Sequence, residues 1–242
     1  MKKLAGVTEA EVIAEFLKGE FYHADYDRDR VYFEALVFDP HLRDPAENAL
    51  RRALLFRRRA TMWRELPPDT QWWEIELEPE DLERVKVFPR AQWRSIARGN
   101  FRALHVAELI HRQFDPARPG DLAAKIHNLR TLMCGEGPRS TILLIGVEES
   151  QPATLLEGNH RFVASLLLPR EIMLRRLRVV CGFSPSMEKC CWYKTTAANL
   201  ARYLKNRIKY SWGGDVDVRR LIPQTARGQT VEDSHQQVGM SD

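Results

Sequence analysis

The sequence predicts an α+β protein, and three observations carry that expectation. Helical periodicity dominates residues 1–66. Strict apolar–polar alternation begins at Trp73. A β-branched run over 141–147 leads through a short hairpin and a glycine into an apolar helix. With 242 residues, 44% hydrophobic and 29% charged, the chain is long and apolar enough to fold around a core, and wholesale disorder is excluded. A net charge of +4 is too mild to indicate nucleic acid by itself. Cys134, Cys181, Cys190 and Cys191 form no CxxC pair, and no apolar stretch approaches the roughly 20 residues that span a bilayer. These features suggest a cytoplasmic protein without a membrane partner.

The elements follow in order. Thr8, with Glu11 three residues on, has the form of a capping box for a helix over 9–17. Pro45 opens a second helix running to about Trp63. It places Leu50, Leu54, Leu55 and Met62 near one face and Arg51, Arg52, Arg57, Arg58 and Arg59 on the rest. Pro67-Pro68-Asp69 ends this region. Trp73, Ile75 and Leu77 alternate with glutamates as a half-buried strand, and Val85 to Phe88 follow a turn. Helices are expected over 101–114 and 121–133, the second stopped by Gly135. Strands at 141–147, 153–156 and 177–183 bracket a helix over 162–168. Thr195 or Thr196 caps a last helix reaching about Tyr210, with Leu200, Leu204 and Ile208 on one stripe that packs back on the body or meets a partner. The resulting division is a helical extension over 1–68, a core over 69–183, a helical segment over 184–222 and a disordered tail over 223–242.

The chemistry concentrates at Glu157-Gly158-Asn159-His160-Arg161. A strand delivers Glu157, a glycine turns the chain, and His160 and Arg161 fall in the first turn of a helix, where unpaired N–H groups and the helix dipole favour an anion. The local alternative is a turn whose Arg and His only cap and pair. Elsewhere the signals are weaker. His105 and His111 are six apart and share no face, so the sequence suggests no protein-held metal cluster. Arg51, Arg52, Arg57, Arg58 and Arg59 are candidate nucleic-acid contacts, with a solvated helix face as the commoner explanation. The tryptophans read as core anchors.

This box, with Ala164 after it, resembles the Gly-x-x-Arg-x-x-Ala box of ParB N-terminal domains. It is similar also to the Gly-Cys-His-Arg box of sulfiredoxins and the Gly-x-His-Arg box of free-serine kinases. The early strand at 73–77, the Val-Phe-Pro segment at 87–89 and the hairpin leading into the box extend the resemblance over about 70–183. It implies a ParB/sulfiredoxin-like mixed-sheet core and phosphate contacts from Gly158, Asn159, His160 and Arg161. Glu157 matches the acidic residue of the kinase members, as a general base or a Mg2+ contact. Glu78, Glu80, Asp81 and Glu83 lie near where the superfamily places a second acidic residue. Sulfiredoxin's reactive cysteine falls at Asn159, and an amide cannot supply a thiolate.

The resemblance implies a nucleotide-binding protein using ATP, ADP or another nucleoside phosphate with Mg2+. Its expected reaction is phosphoryl transfer to a small hydroxyl-bearing substrate, or nucleotide hydrolysis. The alternatives are a ParB-like DNA-associated module working as a nucleotide switch or nuclease, and a non-catalytic interaction protein that keeps the fold. The sequence leaves the oligomeric state open.

Overall fold

The computed structural model describes residues 1–89, 92–115 and 120–213. Its centre is a six-stranded mixed sheet in the order β1-β2-β6-β4-β5-β3. The strands are β1 (Lys2–Val7), β2 (Gln71–Glu76), β3 (Val85–Lys86), β4 (Ser140–Gly146), β5 (Ala153–Glu157) and β6 (Leu177–Phe183). The helices are α1 (Glu9–Glu20), α2 (Asp27–Phe38), α3 (Pro45–Trp63), α4 (Pro79–Leu82), α5 (Gln92–Ala97), α6 (Ala103–Gln113), α7 (Asp121–Cys134), α8 (Asn159–Ser165), α9 (Arg170–Arg176) and α10 (Ala197–Gly213). The α+β class expected from the sequence is the one observed.

β4 and β6 run parallel from Ser140↔Leu177 to Gly146↔Phe183, and the hairpin partner β5 lies antiparallel on the other side of β4. β4 is buried on both faces, which is why it reads as an unbroken apolar run. Ile142 and Leu144 enter one core with Trp93, Val106, Ile110, Ile126 and Phe162 from α5 to α8. Leu143 and Ile145 enter the other with Phe16, Leu17, Leu54 and Leu55 from α1 and α3. The sheet therefore lies between two helical layers, each burying one of its faces.

The capping box expected at Thr8 forms by half: the Thr8 hydroxyl accepts from the Glu11 amide at 3.2 Å, while the Glu11 carboxylate pairs with Arg178. Ahead of Pro45 the Asp44 carboxylate accepts from the Ala46 amide at 2.8 Å. The helical assignment of residues 1–66 is corrected at its start, where Lys2–Val7 pair antiparallel with β2. Residues 1–68 are not an appendage, since they supply an edge strand and one whole covering layer. Four of the described helices are additional: α2, α4, α5 and α9. In α2 the apolar residues form no stripe, Val31 and Tyr32 being exposed while Val37 is buried, and α9 is a single short piece. The helix after Gly158 starts at Asn159, three residues earlier than expected. The tail over 223–242, and the end of the segment over 184–222, lie outside the described residues. Among the described residues no helix is long and apolar enough to cross a membrane.

Because α3 buries Leu54 completely against the sheet, Leu54→Ala should destabilise the protein by about 2–5 kcal/mol. Urea unfolding followed by tryptophan fluorescence and by far-UV dichroism should show one shifted, coincident transition. Two separated transitions would mean that residues 1–68 fold independently.

Candidate functional site

β5 ends on Glu157, whose backbone faces Leu143 across the hairpin. Gly158 then adopts φ +85°, and a Cβ built there would lie 2.6 Å from Ile142 Cδ1. Both the left-handed backbone and the packing demand glycine at this turn. α8 begins at once, so the four residues expected to contact phosphate stand together at the sheet end.

Their side chains already have partners. The Phe88 amide donates to Asn159 Oδ1 at 2.9 Å, tying the box to the strand-end segment after β3. Gln92 Nε2 donates to His160 Nε2, which leaves the imidazole proton on Nδ1, and the ring lies 5.0 Å from that of Trp93. Burial, then Lys125 and Arg161, push His160 down to about 4. It is therefore a neutral donor at pH 7 rather than a second cation. Arg161 Nη1 donates to Ser140 Oγ at 2.7 Å, and its Nη2 lies against the Glu157 carboxylate.

Glu157 is the unusual group. Burial raises its pKa to about 7, opposed by the Arg161 charge and the Gly158 amide and reinforced by Glu20. Glu20 comes from the other layer. The last turn of α1 presses on the pair so closely that a Cβ on Gly19 would sit 2.8 Å from Glu157 Cδ and 2.9 Å from Arg161 Nη2. Glu20 is held in turn by Arg59, whose Nε donates to it at 2.9 Å from a kink in α3 (Arg59 φ −125°, ψ 16°). Gly19, Glu20, Ser140 and Gln92 were not singled out by the sequence reasoning, and Trp93 was read only as a core anchor. Gly19 carried a signal, because a glycine inside a helix costs about 1 kcal/mol relative to alanine and marks a close approach.

The other candidates fall elsewhere. The arginines of α3 pair within the fold, Arg52 keeping a half-exposed side chain. Arg51 is fully buried among Glu47, Asn48 and the carbonyls of Leu36 and His41. Arg52 pairs with Glu9, Arg57 and Arg58 with Asp29, and Arg59 with Glu20, clamping α3 to α1 and α2. In the acidic cluster, Asp81 pairs with the Met1 ammonium at 2.9 Å and with Arg84, and it caps α4 together with Glu78. The Met1 ammonium also donates to the Glu149 carbonyl, in the turn at the opposite end of β5 from Glu157, so Asp81 is no second acid for the box. His111 stacks on His127 at 6.1 Å. No group of three or more His, Cys, Asp or Glu is placed for a metal among the described residues. Cys181, Cys190 and Cys191 are buried thiols, and burial pushes Cys190 up to about 12.

Fold and site together define an α+β protein with a partly buried arginine–carboxylate pair at a strand–glycine–helix turn. No family model, curated protein or solved structure matches the chain.

Two outcomes test this arrangement. Glu157 has a folded pKa above its unfolded value, so its contribution to stability is complete near pH 4.5 and is lost as pH rises to about 7. Glu157→Gln should flatten that part of the stability–pH curve, removing on the order of 3 kcal/mol of pH dependence in urea titrations. Glu20→Gln should lower the Glu157 pKa, read from its carboxyl 13C shift. An unchanged midpoint would remove Glu20 from the site.

Proposed function

We propose that the protein binds a nucleoside phosphate at Gly158, Asn159, His160 and Arg161, and that Glu157 is the base in phosphoryl transfer to a hydroxyl or to water. The observation that carries this reading is a buried carboxyl whose pKa lies near 7, beside the one arginine of an anion-favouring turn. A general base works best when its pKa is close to the operating pH. The resemblance of the box to ParB and free-serine-kinase sequences supports the ligand class.

The chemistry follows from exchange of partners. A phosphate oxygen is a strong bidentate partner for a guanidinium, so a nucleotide competes with Glu157 for Arg161. As Arg161 turns to the phosphate, Glu157 loses its counter-charge and its proton affinity rises. Glu157 then takes the proton of the acceptor O–H as that oxygen attacks the terminal phosphorus and the remaining nucleotide leaves. Neutral His160 donates through a ring N–H. Mg2+ would neutralise charge on the phosphates. Glu157, with Arg161 against it, is arranged as a base and not as a cation ligand. The DNA-module reading loses its arginine helix to internal ion pairs, and Asn159, engaged with Phe88, offers no sulfiredoxin chemistry. Three buried free thiols support a reducing, cytoplasmic setting.

Calorimetry with ATP, ADP and CTP, with and without Mg2+, should find one nucleotide that binds. Arg161→Ala should weaken it by about 1.5–3 kcal/mol. Glu157→Gln should bind as well as wild type while turnover falls by about 10²–10⁴-fold, and the wild-type kcat/KM, which reports the free enzyme, should rise with pH through about 7, with kcat rising at higher pH. Equal affinity in wild type and Arg161→Ala would sink the cradle. Binding without turnover on any hydroxyl or water would leave a non-catalytic binding protein.

A further inference from the structure

α10 lies on the body through its polar side. Asn199 Nδ2 donates to the carbonyls of Glu188 and Lys194, both at 2.8 Å, Asn206 Nδ2 donates to Glu65 at 2.8 Å, and the Tyr203 ring meets Trp192 edge-on at 5.5 Å. These residues, at i, i+4 and i+7, share one face of the helix. The apolar stripe expected to pack inward points away from the body. Leu200, Leu204 and Ile208 are 39%, 47% and 64% exposed, so the stripe opens further along the helix. A soluble amphipathic helix normally does the reverse, and an outward apolar face left open among the described residues calls for a partner.

Charge identifies the partner's chemistry. Between Ala197 and Gly213 the sequence carries Arg202, Lys205, Arg207 and Lys209 and no acidic residue. Lys205 and Arg207 flank the stripe on its two sides, as the 100° step per residue requires. A second copy of this helix would bring like charges together with no carboxylate between them. Three large apolar side chains on one helix are also far short of the roughly 800 Å² per side of a standard protein interface. A short Leu/Ile face bordered by cations, on a helix held flat against a rigid body, matches a helix lying in the plane of an acidic lipid interface. The four-residue spacing continues in the sequence to Trp212, a residue type enriched at that depth.

We infer that α10 is a peripheral docking surface for an anionic bilayer, with Leu200, Leu204 and Ile208 entering the acyl boundary and Lys205 meeting lipid phosphates or carboxylates. This contact lies on a bilayer and does not cross it. It is independent of the reading of Glu157 and Arg161. Its natural target is the cytoplasmic leaflet, which carries the acidic lipids.

The experiment is co-sedimentation of the full chain with phosphatidylserine–phosphatidylcholine vesicles and with phosphatidylcholine vesicles alone, at low and high salt. Wild type should sediment with the acidic vesicles, release as salt rises, and ignore the neutral ones. Leu204→Glu should abolish binding without lowering the melting temperature, since that side chain is half exposed. Removing the cation at Lys205 should weaken binding about fivefold. Failure of the folded full chain to bind acidic vesicles overturns the inference. So does concentration-dependent self-association that Leu204→Glu abolishes, which would make a second copy the occupant.

Discussion

The constraint on which the molecule depends is that β4 is apolar on both sides. Its four central residues, Ile142 to Ile145, alternate between two cores, so neither helical layer can be removed without exposing a face of the sheet's centre. The same strand fixes the site. Ser140, its first residue, receives Arg161, and the Thr141 hydroxyl donates to Glu15 of α1. Ile142 fills the space that a side chain on Gly158 would need. The strand that divides the cores thus also sets the height at which the box and the N-terminal layer meet.

That meeting explains the electrostatics. Arg59, Glu20, Glu157 and Arg161, contributed by α3, α1, β5 and α8, form a row in which two carboxylates stand between two guanidiniums. Each guanidinium has a carboxylate, yet Glu157, deep beneath Gly19, is poised between its two forms. Desolvation outweighs the one adjacent arginine, and a second carboxylate nearby adds to it. A site assembled only from the hairpin and α8 would be more solvated, and its acid would titrate in the ordinary range. The N-terminal layer therefore acts on the site chemically as well as structurally.

Much of this was legible in the chain and some was not, for identifiable reasons. The β4 run, the β6 boundaries, the caps at Thr8 and Asp44–Pro45 and the turn at Gly158 rest on local rules, and the structure follows them. β1 was missed because it is an edge strand exposed over Lys2–Gly6, with no buried alternation to announce it. The arginines of α3 looked solvated because sequence spacing shows a helix face but not what lies opposite. Asp29, Glu9 and Glu20 are supplied by other helices. The stripe of α10 was correct as a pattern and wrong in its inward direction, since polar anchors at Asn199 and Asn206 decide which side meets the body. For the site, the box was visible as a string, whereas the pressure of Gly19 and Glu20 on it is a tertiary fact.

The two borders of the sheet have a consequence for solubility. β3 offers only two residues, and β1 departs from regular register between Lys3 and Ala5. On β1, Lys2 reaches Glu76, while Lys3 pairs with Glu149 and lies over the rings of Trp73 and Phe183. A short border on one side, and a bulged, lysine-bearing one on the other, deny a foreign strand a straight run of N–H and C=O groups to copy. The sheet is thereby closed to growth by recruitment. That protection rests on a few residues of β1, whose loss would turn an otherwise inert rim into a template for fibre formation.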